Sequence, residues 1–212
     1  MRRWLPLLII LASVILSITV FNRLPETMAI HWGTTGEPDG FGSRVFGAFF
    51  LPGLMLFVWG LLTLLPHIDP RRANIEKFRE SYDLLIIAVI TVLAVLHVGV
   101  LGSALGWPVS VGRLAPISIG LLFVVLGNLL PRFRSNFFFG IRTPWTLSSE
   151  NVWMKTHRLG GYVMVGIGLL MILAGVLNSA MAFYVAIGGG LAMVLTVLVY
   201  SWWLWKLEKA GG

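Results

Sequence analysis

The chain has 212 residues, of which 57% are hydrophobic and only 12% charged, with a mean hydropathy of +0.87. A soluble domain carries roughly a quarter charged residues, so the composition speaks against a soluble enzyme, a disordered chain and a nucleic-acid-binding domain, and six spans of about 20 apolar residues account for it. The formal net charge of +7 is then assigned to Lys and Arg holding cytoplasmic loops, and the lack of cysteine removes disulfides and thiolate chemistry.

The first apolar run is Trp4 to Phe21, behind Arg2 and Arg3. It exceeds the roughly 7–15-residue core of a signal peptide, and no small-x-small cleavage site follows, so it is expected to remain as a first span with its N-terminus inside. A polar, turn-rich loop follows from Leu24 to Arg44, with four glycines and the turn chemistry of Glu37-Pro38-Asp39-Gly40. Its length exceeds the ordinary connection of about 4–6 residues, which marks it as a functional loop or a small folded cap.

The second span is Val45 to Leu65, ended by Pro66, and a charged segment runs from His67 to Asp83. The third span is Leu84 to Leu105, broken by Gly106-Trp107-Pro108, and the fourth is Leu114 to Leu130, ended by Pro131. Spans two and four thus share a Leu-Leu-Pro ending, a weak internal echo. A second polar segment, Arg132 to Arg158, precedes the fifth span, Leu159 to Leu177. Asn178-Ser179 forms a short turn, and the sixth span is Met181 to Trp205. The expected class is an all-α, polytopic integral membrane protein with six transmembrane helices and both termini cytoplasmic. It divides into a 1–65 helical hairpin carrying the extracytoplasmic loop 23–44 and a four-helix membrane portion over 66–212.

Charge sets the sidedness. Thirteen of the sixteen basic residues fall on the side of the termini and the two basic loops; only Arg23, Arg44 and Arg113 fall on the other. That asymmetry puts the basic loops in the cytoplasm and the glycine-rich loop outside. Trp107, Trp145, Trp153 and the Trp202, Trp203, Trp205 cluster fall near interfaces, where aromatic rings anchor.

Few residues offer chemistry. His31 with Glu37 and Asp39 has the donor types of a metal site but not the spacing, and neither a metal nor a cofactor is expected. His31 and Trp32 suit a folded cap or a ligand surface, tryptophan supplying a large rigid contact. His97 lies midway along the third span, where an ionisable group either works or hydrogen-bonds a neighbouring helix. Asn128, near the end of the fourth span, reads as interhelical glue. Asp83 suits a helix start. No nucleophile elbow, zincin motif or phosphate loop is present, and no acid lies inside a span, so no enzymatic activity is expected.

The stretch 136–158 is the most informative. Phe137 to Phe139 is placed at the membrane interface, Gly140 permits a sharp turn, and Pro144 makes Thr143 extended. Thr146 or Ser148 is positioned to cap a helix with Glu150 in its first turn. Val152, Trp153, Thr156, Leu159 and Gly160 then share one helical face, a lead-in helix continuous with the fifth span.

These residues resemble a known family. Gly140-Ile141-Arg142-Thr143-Pro144-Trp145-Thr146-Leu147, with Val152-Trp153, Lys155-Thr156-His157-Arg158 and Gly160-Gly161, is similar to the signature of the SdpI immunity-protein family, here spanning 136–161. The run from Leu64-Leu65-Pro66 through Ile68-Asp69-Pro70-Arg71-Arg72 to Tyr82-Asp83 resembles that family's first cytoplasmic loop. Leu24-Pro25, His31-Trp32 and Pro38-Asp39 resemble the extracytoplasmic module of unknown function that precedes it. The resemblance implies a six-span protein of the bacterial plasma membrane that protects against a secreted sporulation-delaying peptide toxin. It also implies recruitment of a cytoplasmic winged-helix transcriptional repressor.

On that reading His31, Trp32 and Asp39 meet an extracellular peptide. Arg71, Arg72, Arg142, Trp145, Trp153, Lys155, His157 and Arg158 form the docking face for a cytoplasmic regulator. Besides these, the lipid bilayer is the partner, and no direct contact with nucleic acid is expected. The alternative is a small transporter or membrane-embedded enzyme built on His97, Asn128 and His157 around a polar cavity.

Overall fold

The computed structural model describes residues 4–177 and 180–211, so Arg2, Arg3 and the expected turn at Asn178-Ser179 lie outside the described residues. Among the described residues, six helices are long and apolar enough to cross a membrane. They are α1 (Leu5–Val20), α2 (Arg44–Ile68), α4 (Arg79–Ala104), α5 (Val111–Leu129), α7 (Glu150–Val176) and α8 (Met181–Ala210); α3 (Arg72–Glu76) and α6 (Pro144–Ser148) are short helices in the two basic loops. The chain is a multi-pass, essentially all-helical membrane protein.

Helices α1, α2 and α4 pack on one another, α4 also meets α5, and α5, α7 and α8 continue the row. The tightest approach is between α5 and α7. A Cβ on Gly127 would lie 2.7 Å from the Gly161 carbonyl oxygen, and one on Gly168 would lie 2.6 Å from that of Gly120. Positions seven apart recur on the same face after about two helical turns, so two glycine pairs hold the antiparallel helices backbone to backbone. Small residues are what permit such contact where lipid removes the hydrophobic drive for helix association. Helix α8 covers only one side of α7 and leaves most of its length facing lipid.

Helix α2 contains Pro52 and Pro66 and runs on to Ile68 instead of ending at Pro66. A proline inside a helix leaves the carbonyl four residues earlier without its N–H partner. Both orphaned carbonyls are taken by other helices. Ser17 Oγ of α1 donates to the Ala48 carbonyl at 2.6 Å, and the Tyr82 hydroxyl of α4 donates to that of Leu62. The second Leu-Leu-Pro behaves differently: Leu130–Arg132 forms a single 3-10 turn, and the chain leaves the bundle there.

The glycine-rich loop is a β-hairpin, not an irregular segment. Strands β1 (Thr27–Trp32) and β2 (Pro38–Ser43) pair antiparallel, with irregularities between Ala29 and Trp32. Gly40, expected in the turn Glu37-Pro38-Asp39-Gly40, and the loop glycine Gly42 both lie within β2, because His31 and Ile30 of β1 cross over them; a Cβ at either would sit 2.8 Å from those side chains. The turn itself is Gly33 to Glu37, closed by Gly33 N–H to Glu37 O at 2.9 Å. Met28, Leu24, Ala48, Val100, Leu101 and Val111 form the buried cluster that seats the hairpin on the helices. A second cluster, including Met55, Ile75, Phe78, Tyr82, Ile90, Phe133 and Phe139, fills the opposite half, beneath the basic loops.

Candidate functional sites at the two ends of the bundle

The hairpin and the basic loops occupy opposite ends of the helices. At the hairpin end, Gly36 (φ +83°) rests against Gly112 at the start of α5. Between the hairpin and the facing ends of α5, α7 and α8 lies a cavity of about 360 Å³, within the range of small-ligand pockets. Its hairpin wall includes Ile30, His31 and Trp32; Pro116, Met171 and Phe183 line the helical side. His31 Nδ1 and Asp39 Oδ1 are 2.5 Å apart across the strands, with side chains 71% and 54% exposed. So open a pair adds little stability; it sets the imidazole beside the Asp39 carboxylate at the cavity rim. Trp32 is half-buried against the hairpin-seating cluster. Of the three expected ligand residues, His31 and Trp32 line the cavity, and Asp39 reaches it only through its pair with His31. Among the described residues no group of three or more metal-ligating side chains occurs.

At the basic end the two loops are fastened to each other. Asp69 is buried; its Oδ1 accepts from the Arg71 N–H at 2.7 Å and its Oδ2 from the Phe137 N–H at 2.9 Å. The Arg71 guanidinium donates to Ser135 Oγ and to the Leu147 carbonyl, and it lies 5.0 Å over the Phe137 ring. Asn74 Nδ2 adds a bond to the Ser135 carbonyl at 2.9 Å. Charge-assisted bonds of this kind are stronger than neutral ones, and the planar fork suits several acceptors at once.

The 136–161 stretch folds around its own polar groups. Asn136 is fully buried and satisfied: Oδ1 accepts from the Phe138 and Phe139 N–H groups, and Nδ2 donates to the Arg134 and Phe139 carbonyls. Gly140 takes φ +98°, and a Cβ there would lie 2.3 Å from His157 Nε2. His157 Nδ1–H donates to the Trp153 carbonyl at 2.9 Å, which leaves Nε2 to accept the Ile141 N–H at 3.0 Å. The imidazole stacks on Trp153 with ring centroids 4.0 Å apart, and Trp153 Nε1–H donates to the Phe133 carbonyl. Thr143 is extended as Pro144 requires, caps α6 in a reciprocal box with Thr146, and reaches Ser201 of α8 at 3.1 Å. The cap of α7 is Ser149, not Thr146 or Ser148, because the chain breaks at Ser149 between α6 and α7. Val152, Trp153, Thr156 and Gly160 share the buried face of α7 as expected, continuous with the fifth span, while Leu159 is only half-buried.

The expected docking face is thereby divided. Arg72, Arg142, Lys155 and Arg158 are exposed and Trp145 is half-exposed. Trp153 and His157 have no exposed surface, and Arg71 is committed to the clasp between the loops. Trp153 is accordingly neither an interfacial anchor nor a docking side chain: its indole fills the space between α7 and the preceding loop. Of the three phenylalanines, Phe139 is in the core and Phe137 lies under Arg71. Asp69 and Asn136 do more to shape this end than most of the singled-out cations. The available signal was an acid, and an amide, placed inside strongly basic loops.

The intramembrane polar residues do not converge. His97 is fully buried where α1, α2 and α4 meet; its Nε2–H points to Ser17 Oγ at 3.0 Å, with the Ser13 carbonyl at 3.3 Å. Asn128 is exposed, and its Nδ2 bonds the Val124 carbonyl of its own helix at 2.7 Å. It is not interhelical glue, since an amide facing away from the bundle satisfies itself one turn back. Asp83 lies in the second turn of α4 rather than at its start, and there it pairs with Arg79 at 3.1 Å.

Comparison with known proteins agrees with the resemblance carried by these residues. A family model described as the SdpI/YfhL protein family matches residues 132–202, and one described as a domain of unknown function, DUF1648, matches residues 8–56. The chain is 26% identical over 195 residues to "Immunity protein SdpI" of Bacillus subtilis (strain 168), covering 92% of this chain and 89% of that protein. No solved structure matches. With the Gly140–His157 motif and the Asp69–Arg71 loop both in place, the chain is similar to the SdpI/YfhL family over residues 132–202 and, ahead of them, to the DUF1648 model over residues 8–56.

Proposed function

We propose that this protein is a membrane immunity and signal-transduction protein of the bacterial plasma membrane, acting against a secreted peptide toxin of the sporulation-delaying type. The observation that carries the reading is the match to an immunity protein along nearly the whole length of both chains. The geometry supports it in two ways. The hairpin cavity offers an apolar cleft lined by Trp32 and by His31, which Asp39 holds from behind, suited to a side chain of an apolar peptide. At the opposite end, Arg72, Arg142, Lys155 and Arg158 stay exposed on a frame held rigid by Asp69, Arg71 and His157. Such a face suits an acidic surface of a cytoplasmic regulator, such as a winged-helix repressor. The charge asymmetry orients the hairpin outward and the basic end inward.

Peptide at the hairpin then favours one packing of the helices and biases the inner face. Moving that equilibrium from mostly off to mostly on takes about 5.5 kcal/mol of differential affinity. The test is expression in a toxin-sensitive cell with survival scored against the peptide. The wild-type chain should protect, and a His31→Ala, Trp32→Ala variant should not, at equal membrane levels. Absence of protection by the wild type, or intact protection by the variant, would remove the hairpin from the mechanism.

A further inference from the structure

We propose that the notch between the basic-end termini of α1, α2 and α4 is a headgroup site for an aminophospholipid, phosphatidylethanolamine, drawn from the leaflet on the basic side. The notch has a volume of about 660 Å³. Leu7, Trp59 and Ile86 form its apolar wall, and Glu76, Arg79 and Asp83 its ionic wall. Arg79 bridges the two acids, Nη1 lying 3.5 Å from Glu76 Oε1 and Nε 3.1 Å from Asp83 Oδ1. Among the described lining residues one arginine stands against two carboxylates, a surplus of negative charge on the end of the molecule that is otherwise strongly basic. A basic face attracts anionic headgroups generally; this notch instead asks for a cation.

The required cation is a hydrogen-bond donor. Asp83 Oδ2 has no partner among the described residues, and Glu76 is held only loosely, with its side chain 69% exposed. His67 Nδ1–H donates to the Thr63 carbonyl at 3.0 Å, which leaves Nε2 as a further acceptor on the same rim. A primary ammonium has three donors for such acceptors, whereas a quaternary choline has none. The attached phosphate falls to Arg79, whose remaining guanidinium nitrogen is unengaged among the described residues. The acyl chains continue along an apolar surface already open to lipid, where Leu8 of α1 and Leu64 of α2 are 60% and 65% exposed. A soluble amine would satisfy the ionic wall but leave that surface uncovered.

The full-length chain, reconstituted in vesicles of phosphatidylglycerol with phosphatidylethanolamine and phosphatidylcholine in equal parts, tests this. Lipid retained after gentle extraction is read by native mass spectrometry. Phosphatidylethanolamine should be retained over phosphatidylcholine by about tenfold, a difference of about 1.4 kcal/mol. Glu76→Gln and Asp83→Asn should each reduce that preference several-fold, while Glu150→Gln, which removes an acid elsewhere on the same end, should not. Glu76 is exposed, so its variant keeps the test open if Asp83→Asn fails to fold. Equal retention of the two lipids, or a preference untouched by Glu76→Gln in folded protein, would overturn the site. Free ethanolamine retained as strongly as the whole lipid would overturn the assignment to a lipid.

Discussion

Ser17 donates its hydroxyl proton to the carbonyl of Ala48, the one group in the middle of α2 that Pro52 deprives of a helical partner. The same oxygen accepts from His97 Nε2–H, so three helices meet in a short chain of hydrogen bonds, His97 to Ser17 to Ala48. The buried histidine thereby acts as a brace across α1, α2 and α4. Ser17→Ala should lower stability by about 1–3 kcal/mol, the cost of unpaired buried groups, measured by denaturant unfolding in micelles. In a Pro52→Ala background the same change should cost less, because the residue 52 N–H returns to the Ala48 carbonyl. A double-mutant cycle would show that coupling; strictly additive effects would break the link between Ser17 and Pro52.

Gly140 is a second point of close tolerance. Its φ of +98° and its contact with His157 both exclude a side chain. Gly140→Ala should destabilise by about 2–4 kcal/mol, combining left-handed strain with loss of the Ile141–His157 bond. Gly106→Ala is the control: φ is +79° but the surrounding space is open, so only about 1–2 kcal/mol of strain is expected. Equal losses at the two positions would deny His157 its part in shaping the loop.

Arg71 and Arg72 are neighbours in sequence with separate roles. Arg71→Ala should release the two basic loops from each other, costing about 2–3 kcal/mol and opening residues 132–148 to protease. Arg71→Lys should not restore the clasp, since a single ammonium cannot serve Ser135 and Leu147 while stacking on Phe137. Arg72→Ala should change stability by no more than about 0.5 kcal/mol, as exposed substitutions do, and should weaken only binding of a cytoplasmic partner, measured by co-purification.

The hairpin cavity predicts a filling variant. Ala115 lines it on α5, so Ala115→Trp should occupy the cleft and abolish protection while the protein still reaches the membrane. His31→Ala should cost less than about 1 kcal/mol in folding, because its pair with Asp39 is solvent-exposed. Full protection by the Ala115 variant would move the ligand away from this cleft.

Much of this protein was determined by its sequence alone. The six spans follow from apolar runs that no soluble fold accommodates, and the charge asymmetry separates one end from the other. The turn at Gly140, the extended Thr143 and the buried face of α7 were legible because local chemistry and helical period set them. Tertiary structure alone decided the rest. Gly40 and Gly42 resemble loop residues until β1 crosses them. Trp153 and His157 resemble a docking surface until the preceding loop closes over them and takes their hydrogen bonds. Asp69 is 68 residues from the Phe137 amide it accepts, and Ser17 is 31 from the carbonyl it repairs. A pattern along one helix reports which face is buried, but the partner of a polar group within lipid depends on which helix arrives beside it.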